Sequence, residues 1–327
     1  MDLERALAGP DATFTLIRPE KGEWNADNLK DIDAIIHCRS RNKLSADLLE
    51  VMPAVKIIVQ AGVGTNHINV EACSAKGIPV CNVPDYGTRE IADHALALLL
   101  NLRRGITAYD ERIRASAAGW SPFALSSAPI QRLSGQKIGI VGLGSIGTAV
   151  ALRAKAFGLA VGFFDPFSTP GVELALGIDR FDSIDALWAS SDIVSLHCPL
   201  TDSTRNLINA ETISKMKPGV VLINTSRGEV VDLVALENGL RSGVIGGAAL
   251  DVVSSEPVDR ENALIKAWIA REAWLEGRLL ITPHAAFFSP ESVVDLRRLA
   301  LKTALDFLRS GSLRACVNIR NLVRVQF

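Results

Sequence analysis

The 327-residue chain has almost no net charge, with 35 Lys and Arg against 36 Asp and Glu. It has no block of like charges, so the electrostatic footprint of a protein that binds nucleic acid or a membrane surface is missing. No apolar run is long enough to cross a bilayer, and the first residues lack the basic segment, apolar run and cleavage site of a secretory signal. We therefore expect a cytoplasmic protein with a small-molecule partner and with no nucleic-acid and no membrane partner.

Cysteine is scarce and scattered. The five cysteines are Cys38, Cys73, Cys81, Cys198 and Cys316. Their number is odd, and they lack the paired short spacing that zinc sites need. We expect buried free thiols, with neither a disulfide framework nor a metal site.

The chain is longer than one domain usually is, so we expect two domains that share a cleft. Short apolar runs alternate with helical patterns, which is typical of parallel sheets with crossover helices. Four runs fit a first sheet: TFTLI, AIIHC, VKIIVQAG and PVCNVP. Six fit a second: KIGIVGLG, AVGFFD, DIVSLHC, VVLINTS, GGAALDV and LLITPH. The sequence thus predicts an α/β fold of two Rossmann-like or flavodoxin-like domains with parallel sheets.

Two long helical patterns mark the domain boundaries. Residues 88–116 should form a helix that bridges the domains. A second helix should begin at Pro290, with Ser289 as N-cap and Gly311 at its end, and carry the chain back. We therefore expect a dinucleotide-binding domain, residues 100–285, inserted in a discontinuous substrate domain, residues 1–99 and 286–327.

A glycine-rich turn follows the strand pattern of KIGIV. The segment reads Gly142-x-Gly144-x-x-Gly147 and opens a helix near Ser145. The glycines serve a tight turn, a close backbone approach to a pyrophosphate, and close packing of helix on strand. A helix N-terminus is a favourable place for the phosphates. The pattern therefore predicts a dinucleotide site.

The next strand pattern ends in an acidic residue. Asp165 comes eighteen residues after Gly147, where a carboxylate can bind both ribose hydroxyls. It would repel a 2'-phosphate, and residues 166–168 are Pro, Phe and Ser, none of which is a cation that could hold one. NAD is therefore the expected cofactor.

Three polar residues follow three successive strand patterns: Arg227, Glu256 and His284. Ligands of doubly wound sheets bind outside the carboxyl ends of the strands, so the three can converge. Arg offers a planar fork for the carboxylate and carbonyl of a 2-oxo acid, and His can exchange the alcohol proton. A carboxylate beside His stabilises the imidazolium and determines which ring nitrogen carries the proton. The remaining histidines, at positions 37, 67, 94 and 197, are interpreted as structural.

A series of motifs extends over nearly the whole chain. Besides the glycine turn they are QAGVGTNHINV, VPDYGTREIADHALALLL, LHCPLTDSTRNLI, MKPGVVLINTSRGEVVD, ALDVVSSEP and TPHAAFFSPES. In these motifs and their order the chain resembles the D-isomer-specific 2-hydroxyacid dehydrogenases, particularly the subgroup similar to C-terminal binding protein. The resemblance implies that Arg227 binds the substrate carboxylate and carbonyl, that His284 is the acid/base, and that Glu256 pairs with it.

The resemblance also implies where cofactor and substrate bind. Cofactor positions fall on Thr88, Ser145, Ile146, Asp165, Pro199, Thr204, Thr225 and Asp251, the last beside the nicotinamide carboxamide. Backbone groups around Val63 and Gly64 should hold the substrate carboxylate from the other domain. Gln60 stands where chains similar to C-terminal binding protein carry an Arg facing the substrate, and Phe287 follows the acid/base His where an aromatic often lines the pocket. Trp268 and Trp274, in a segment longer than in most of the wider family, are interpreted as packing residues.

The expected activity is NAD-dependent interconversion of a small D-2-hydroxy acid and its 2-oxo acid. Relatives by this resemblance are dimers, and residues 120–135 resemble the arm that packs on a partner, so we expect a homodimer. Two alternatives stay open. An NADH-responsive binding protein similar to a corepressor shares the fold, and phosphite dehydrogenases keep the Arg, Glu and His set. Formate dehydrogenases replace the acid beside His with an amide, so Glu256 argues against formate.

Overall fold

The chain divides into two units. The computed structural model describes residues 2–10, 12–17, 26–38, 43–116, 119–125 and 128–322. Unit 1 comprises Met1–Gly87 with Phe288–Phe327, and unit 2 is Thr88–Phe287. These edges differ from the predicted ones at 99/100 and 285/286. Helix α4 (Thr88–Arg104) spans the first predicted edge, and its residues from Ala92 to Leu102 pack into a core of unit 2.

Unit 1 is built on a parallel sheet with the strand order β1-β2-β3. Its strands are β1 (Ala34–Cys38), β2 (Ile57–Ala61) and β3 (Val80–Cys81). Its described helices are α1 (Asp2–Ala8), α2 (Ala46–Glu50), α3 (Val70–Ala75), α12 (Pro290–Ser310) and α13 (Ile319–Leu322), with a 3-10 turn at Ala26–Asn28. All of β2 is buried, because Ile58 packs into one apolar cluster while Ile57 and Val59 pack into another.

The first predicted strand of this sheet is wrong. TFTLI, residues 13–17, has no strand pairing within the described residues. Ile17 instead packs against the cluster that contains Leu29 and Met52. A short apolar run can be buried by packing alone, so its pattern does not require a partner strand.

Unit 2 is built on a parallel sheet with the described strand order β10-β9-β8-β7-β4-β5-β6. The strands are β4 (Lys137–Val141), β5 (Ala160–Phe164), β6 (Asp179–Arg180), β7 (Ile193–Leu196), β8 (Val220–Asn224), β9 (Ile245–Leu250) and β10 (Leu279–Ile281). All six predicted strands are confirmed, and only the two-residue β6 was missed. The order reverses between β4 and β7, which is the switch point where doubly wound sheets bind ligands.

Helices of unit 2 connect these strands. Besides α4 they are α5 (Ile106–Ala115), α6 (Ser145–Ala156), α7 (Val172–Leu176), α8 (Ile184–Ser190), α9 (Ala210–Ser214), α10 (Leu233–Ser242) and α11 (Ala263–Ile269), with 3-10 turns at Gly228–Val230 and Ala273–Leu275. Residues 88–116 form two helices rather than the one predicted. Gly105 separates them because its φ of +63° is left-handed, a conformation that ends a helix.

The predicted limits of the returning helix are confirmed. Ser289 accepts a hydrogen bond from the Ser292 backbone N–H at 2.9 Å, and Pro290 is the first helical residue. Gly311 ends the helix with a φ of +72°. These local signals define the helix independently of its packing.

The Trp-bearing segment after Glu256 packs on the core, as predicted. Trp268 and Trp274 lie against the buried cluster that includes Leu264 and Leu275. In the described part of the chain, no helix is long and apolar enough to cross a membrane. Within the same ranges, no group of three His, Cys, Asp or Glu side chains could hold a metal ion.

Candidate active site

The proposed catalytic residues follow three neighbouring strands of unit 2. Arg227 comes after β8, Glu256 after β9 and His284 after β10. These strands are adjacent and parallel, so the loops leave the same edge of the sheet. The sheet order alone therefore brings the three segments together, as the sequence predicted.

His284 and Glu256 form a hydrogen bond. His284 Nδ1 lies 2.7 Å from Glu256 Oε2. An ionised carboxylate can only accept, so Nδ1 carries the proton of this bond. His284 also has a φ of +53°, which is rare for a residue with a side chain and typical of functional sites. The Phe287 ring meets the imidazole edge-on, with 6.2 Å between ring centroids.

A buried carboxylate holds the loop that carries His284. Asp251 is 2% exposed at the end of β9. It accepts hydrogen bonds from the Thr282 hydroxyl (2.6 Å) and from the backbone N–H of Ala285 (2.8 Å) and Ala286 (2.9 Å). The His284 backbone N–H donates to the Asp251 carbonyl oxygen at 2.8 Å. These bonds stabilise the left-handed conformation of His284, a role that the sequence did not show because it arises between neighbouring strands.

His94 joins the same network from helix α4. Its Nε2 lies 3.0 Å from the Thr282 hydroxyl and 3.6 Å from Asp251 Oδ1. The sequence interpreted this histidine as structural, and its contacts are consistent with support of the His284 loop. His94 and Thr282 are nearly 190 positions apart in the sequence, so no local sequence pattern predicts their contact.

Arg227 lies in a tight loop after β8. Its Nη1 donates to the Ser226 carbonyl oxygen at 2.6 Å, and the Asn224 side chain donates to the Arg227 carbonyl oxygen at 2.9 Å. Next to it, a Cβ on Gly228 would lie 1.9 Å from the Val253 carbonyl carbon. Only glycine permits this close approach of the β8 loop to the chain that leads to Glu256.

The glycine turn has the predicted form. Gly142 has a φ of +90°, and a Cβ on Gly147 would lie 2.1 Å from the Gly142 carbonyl oxygen. A Cβ on Gly144 would meet no atom within 4 Å. Helix α6 begins at Ser145, and both Gly144 and Ser145 are exposed. The turn is therefore tight on its inner side and open at the helix N-terminus, which suits a pyrophosphate.

Asp165 is held at the end of β5. Its Oδ2 accepts from the Leu143 backbone N–H and its Oδ1 from the Phe167 backbone N–H, each at 2.8 Å. The carboxylate thus lies against the glycine turn, where ribose hydroxyls are expected. The structure also brings a cation to this loop that the sequence missed. Arg180 donates to the Ser168 hydroxyl at 2.7 Å, but it is paired with Glu173 at 3.0 Å.

Other predicted cofactor positions lie around this edge. The Thr225 hydroxyl is buried after β8 and has no hydrogen-bond partner within the described residues. An unsatisfied buried hydroxyl costs free energy, so a ligand at this point would satisfy it. Thr204 donates to the Pro199 carbonyl oxygen at 2.6 Å and so shapes the turn after β7. The remaining positions are at helix starts: Thr88 opens α4, and Ile146 is in the first turn of α6.

His197, interpreted as structural from the sequence, lies away from solvent. It is enclosed at the end of β7, and its Nε2 lies 2.8 Å from the Ser195 hydroxyl. Burial lowers its pKa to about 4, so the ring is neutral at physiological pH. Its backbone lies against Gly142, where it supports the glycine turn.

The predicted substrate positions of unit 1 lie in β2 and just after it. Gln60 is 3% exposed, and its Oε1 lies 2.9 Å from His37 Nδ1 and 2.8 Å from His67 Nε2. Because an amide oxygen only accepts, both imidazoles present an N–H to it. Val63 and Gly64 follow, and the Asn82 side chain donates to the Val63 carbonyl oxygen at 2.7 Å. The sequence did not foresee the two histidines around Gln60.

A switch-point sheet, an open glycine turn with an acidic residue behind it, and a His–Glu pair define an NAD-dependent oxidoreductase. A family model described as "D-isomer specific 2-hydroxyacid dehydrogenase, NAD binding domain" matches residues 96–286. The chain belongs to the D-isomer-specific 2-hydroxyacid dehydrogenases. It interconverts a hydroxy acid and the corresponding oxo acid with NAD as cofactor.

Relatives and solved structures agree with this assignment. A glyoxylate reductase of Korarchaeum cryptofilum is 34% identical over 285 residues, which are 86% of this chain and 82% of that protein. The D-lactate dehydrogenase of Aquifex aeolicus, solved with NAD and lactic acid, has a TM-score of 0.76 and 31% identity, covering 88% of this chain and 86% of that one. A glyoxylate reductase from Paecilomyes thermophila has a TM-score of 0.79 and 28% identity, covering 90% and 86%.

Proposed function

We propose that Arg227, Glu256 and His284 are the catalytic residues of a dehydrogenase for small D-2-hydroxy acids. The observation that carries this proposal is the 2.7 Å bond between His284 Nδ1 and Glu256 Oε2 at the edge where Arg227 also lies. An imidazole with one nitrogen held by a carboxylate has its other nitrogen directed to proton transfer. The acid/base role therefore falls on His284, and Glu256 stabilises its protonated form.

The expected chemistry divides between the cofactor and the chain. NAD supplies hydride exchange with C2 of the acid when it is bound. In the reducing direction, His284 Nε2 donates a proton to the oxygen on C2, and the Arg227 guanidinium offsets the negative charge that develops there. Glu256 favours the imidazolium before this transfer. In the oxidising direction, the neutral imidazole accepts the alcohol proton.

Several features of the proposed cofactor residues support binding of NAD. Gly142, Gly144 and Gly147 give an open helix start, and Ser145 and Ile146 place backbone N–H groups in its first turn. Asp165 offers a carboxylate for the ribose. The unpartnered hydroxyl of Thr225 and the turn of Pro199 and Thr204 line the same edge. Thr88 and Asp251 complete the set, with Asp251 proposed for the nicotinamide carboxamide.

We assign substrate selection to Gln60, Val63, Gly64 and Phe287. Val63 is exposed and Gly64 is half-buried, and their backbone N–H groups are suited to a carboxylate. The neutral amide of Gln60 gives little support for a second carboxylate, so we expect small acids with a polar or modest apolar side chain. Phe287 beside the His284 ring supplies an apolar wall.

A substrate panel tests the proposal. NADH oxidation would be followed with glyoxylate, hydroxypyruvate, pyruvate and aryl pyruvates, and NAD reduction with phosphite and formate. Arg227→Ala should lose oxo-acid turnover, whereas Arg260→Ala, which removes an exposed Arg of the same unit, should retain it. Phosphite turnover would favour the alternative dehydrogenase. Tight NADH binding without turnover of any compound would favour an NADH-responsive binding protein, as in the proposed subgroup similar to C-terminal binding protein.

We further propose a cytoplasmic homodimer that uses the arm at residues 120–135, of which 126 and 127 lie outside the described residues. Trp120 is 79% exposed and Phe123 89%, an unusual exposure for large aromatics. Trp120 lines an open cavity of about 340 Å³ with Tyr109 and Ile113. A second copy of the chain is the expected occupant. Light scattering should give the dimer mass for wild type and a lower mass for Phe123→Asp.

A further inference from the structure

The described residues of unit 1 hold two cysteines side by side outside the active site. Cys81 is the last residue of β3, and Cys316 lies in the chain after α12. The two residues are partners in an isolated antiparallel bridge. Backbone hydrogen bonds flank the pair, from Val317 N–H to the Val80 carbonyl (2.8 Å) and from Asn82 N–H to the Ala315 carbonyl (3.1 Å).

This pattern determines how the two side chains face each other. Hydrogen bonds on both sides of a pair, with none between its members, define a non-hydrogen-bonded antiparallel position. Cα atoms at such a position are about 4.5 Å apart and their side chains lie on one face. A disulfide needs a Cα separation of about 4.4–6.8 Å. The backbone at Cys81 and Cys316 therefore accepts a disulfide, although both are free thiols in this structure.

The two thiols differ in a way that assigns their order of reaction. Cys316 is half-buried, and a hydrogen bond from the Cys81 thiol lowers the pKa of Cys316 below its usual value. Cys81 is fully buried, and both this hydrogen bond and burial raise its pKa. Cys316 is also the more accessible of the two thiols, so we assign the first reaction to Cys316 and the second to Cys81.

We propose that Cys81 and Cys316 form a reversible disulfide when the protein meets a peroxide. In the first step the Cys316 sulfur attacks the peroxide, so an S–O bond forms and the O–O bond breaks. The departing hydroxide takes up the thiol proton and leaves as water. The Cys81 sulfur then attacks Cys316, so the S–S bond forms, the S–O bond breaks, and the Cys81 proton leaves with the hydroxyl as water. Two thiols lose two electrons, and one peroxide becomes two waters.

The remaining cysteines do not compete on the same terms. Cys73 and Cys198 are buried, and burial raises the pKa of each thiol to about 11. They are poor nucleophiles at neutral pH. Cys38 is exposed as a residue, but desolvation raises the pKa of its thiol above the usual value.

The pair adjoins the loop assigned to the substrate carboxylate. Asn82 follows Cys81, and its side chain donates to the Val63 carbonyl at 2.7 Å. A disulfide at Cys81 would restrict the backbone that positions this side chain. We therefore expect oxidation to change the KM for the substrate. This effect depends on the proposed function, whereas disulfide formation does not depend on it.

Mass spectrometry tests the disulfide without reference to activity. The full chain would be treated with hydrogen peroxide, its free thiols alkylated after unfolding, and the protein digested without reductant. A cross-linked peptide containing Cys81 and Cys316 is expected, lost on reduction with dithiothreitol. Oxidation of Cys316 to sulfinic acid with Cys81 still alkylated, or a cross-link through Cys38, would overturn the proposal.

Three variants assign the order of the two steps. Cys316→Ser should protect Cys81 from peroxide, slowing its loss by about tenfold or more, the difference expected between a thiolate and a buried thiol. Cys73→Ser, the control at a buried position of the same unit, should still form the cross-link. Cys81→Ser should accumulate a sulfenic acid at Cys316 that dimedone traps. Unchanged oxidation of Cys81 in Cys316→Ser would contradict the assigned order.

Discussion

Two glycines of the same turn should respond differently to one added methyl group. A Cβ on Gly147 would lie 2.1 Å from the Gly142 carbonyl oxygen, so Gly147→Ala forces backbone apart inside the turn. A Cβ on Gly144 meets no atom within 4 Å, and the φ of −71° there is acceptable to alanine. The first change should therefore affect stability and the second should not.

The magnitudes follow from the contacts. Overpacking costs about 1–3 kcal/mol. Each kcal/mol lowers the melting temperature of a unit of this size by about 2–4 °C, so Gly147→Ala should lose about 2–12 °C. The free energy of unfolding of Gly144→Ala should lie within about 0.5 kcal/mol of that of wild type. Its methyl group would instead stand where the pyrophosphate is expected, so the same overpacking should weaken NADH binding roughly 5- to 150-fold.

The assay pairs thermal unfolding without ligand with titration of NADH by fluorescence. Each variant is the control for the other, since they share a turn and a substitution. The expected result is a stable Gly144→Ala protein that binds NADH poorly. If Gly144→Ala binds NADH like wild type, the pyrophosphate does not lie against this glycine and the cofactor assignment fails at its central point.

Three further predictions follow from single contacts. Glu256→Gln removes the carboxylate that accepts the hydrogen bond from His284 Nδ1; turnover should fall about tenfold or more, because a hydrogen bond to a charged group contributes about 1.5–3 kcal/mol. Turnover equal to that of wild type would remove Glu256 from this role. Thr225→Val replaces a buried hydroxyl that has no partner within the described residues. The melting temperature without ligand should be unchanged or slightly raised, and the affinity for NADH should fall. An affinity for NADH equal to that of wild type would count against the cofactor contact. The bidentate hydrogen bonds from Arg297, each 2.7 Å, hold the pKa of Glu4 below its usual value. Their stabilisation is present above the unfolded pKa of about 4.3 and is lost as pH falls through the lower folded value, so the melting temperature of Glu4→Gln should depend less on pH between about 5 and 3 than that of wild type.

Local patterns in the sequence predicted much of the fold. The six predicted strands of unit 2, the start of α6 at Ser145 and the Ser289 cap of α12 depend on residues within a few positions of one another. Such signals act before any tertiary contact forms, so they can be recognised in the chain itself. The predicted strand at residues 13–17 was wrong, because an apolar run indicates burial but does not define a partner strand.

The candidate site was also only partly predictable from local sequence patterns. Residue type and spacing after each strand indicated Arg227, Glu256 and His284 as candidates, because an α/β sheet places these loops at one edge. The support around them was beyond sequence reasoning. Asp251 binds the His284 loop from the neighbouring strand, and His94 reaches Thr282 from helix α4.

The sequence by itself determined six strands of unit 2, the limits of α12 and the glycine turn, since each is encoded in adjacent residues. Only the tertiary structure decided which distant groups meet. Cys81 and Cys316 are 235 positions apart and lie in one antiparallel bridge, and Gln60 lies between the imidazoles of His37 and His67. Contacts of this kind depend on how separate strands and segments come side by side, and the spacing of residues along the chain carries no record of that geometry.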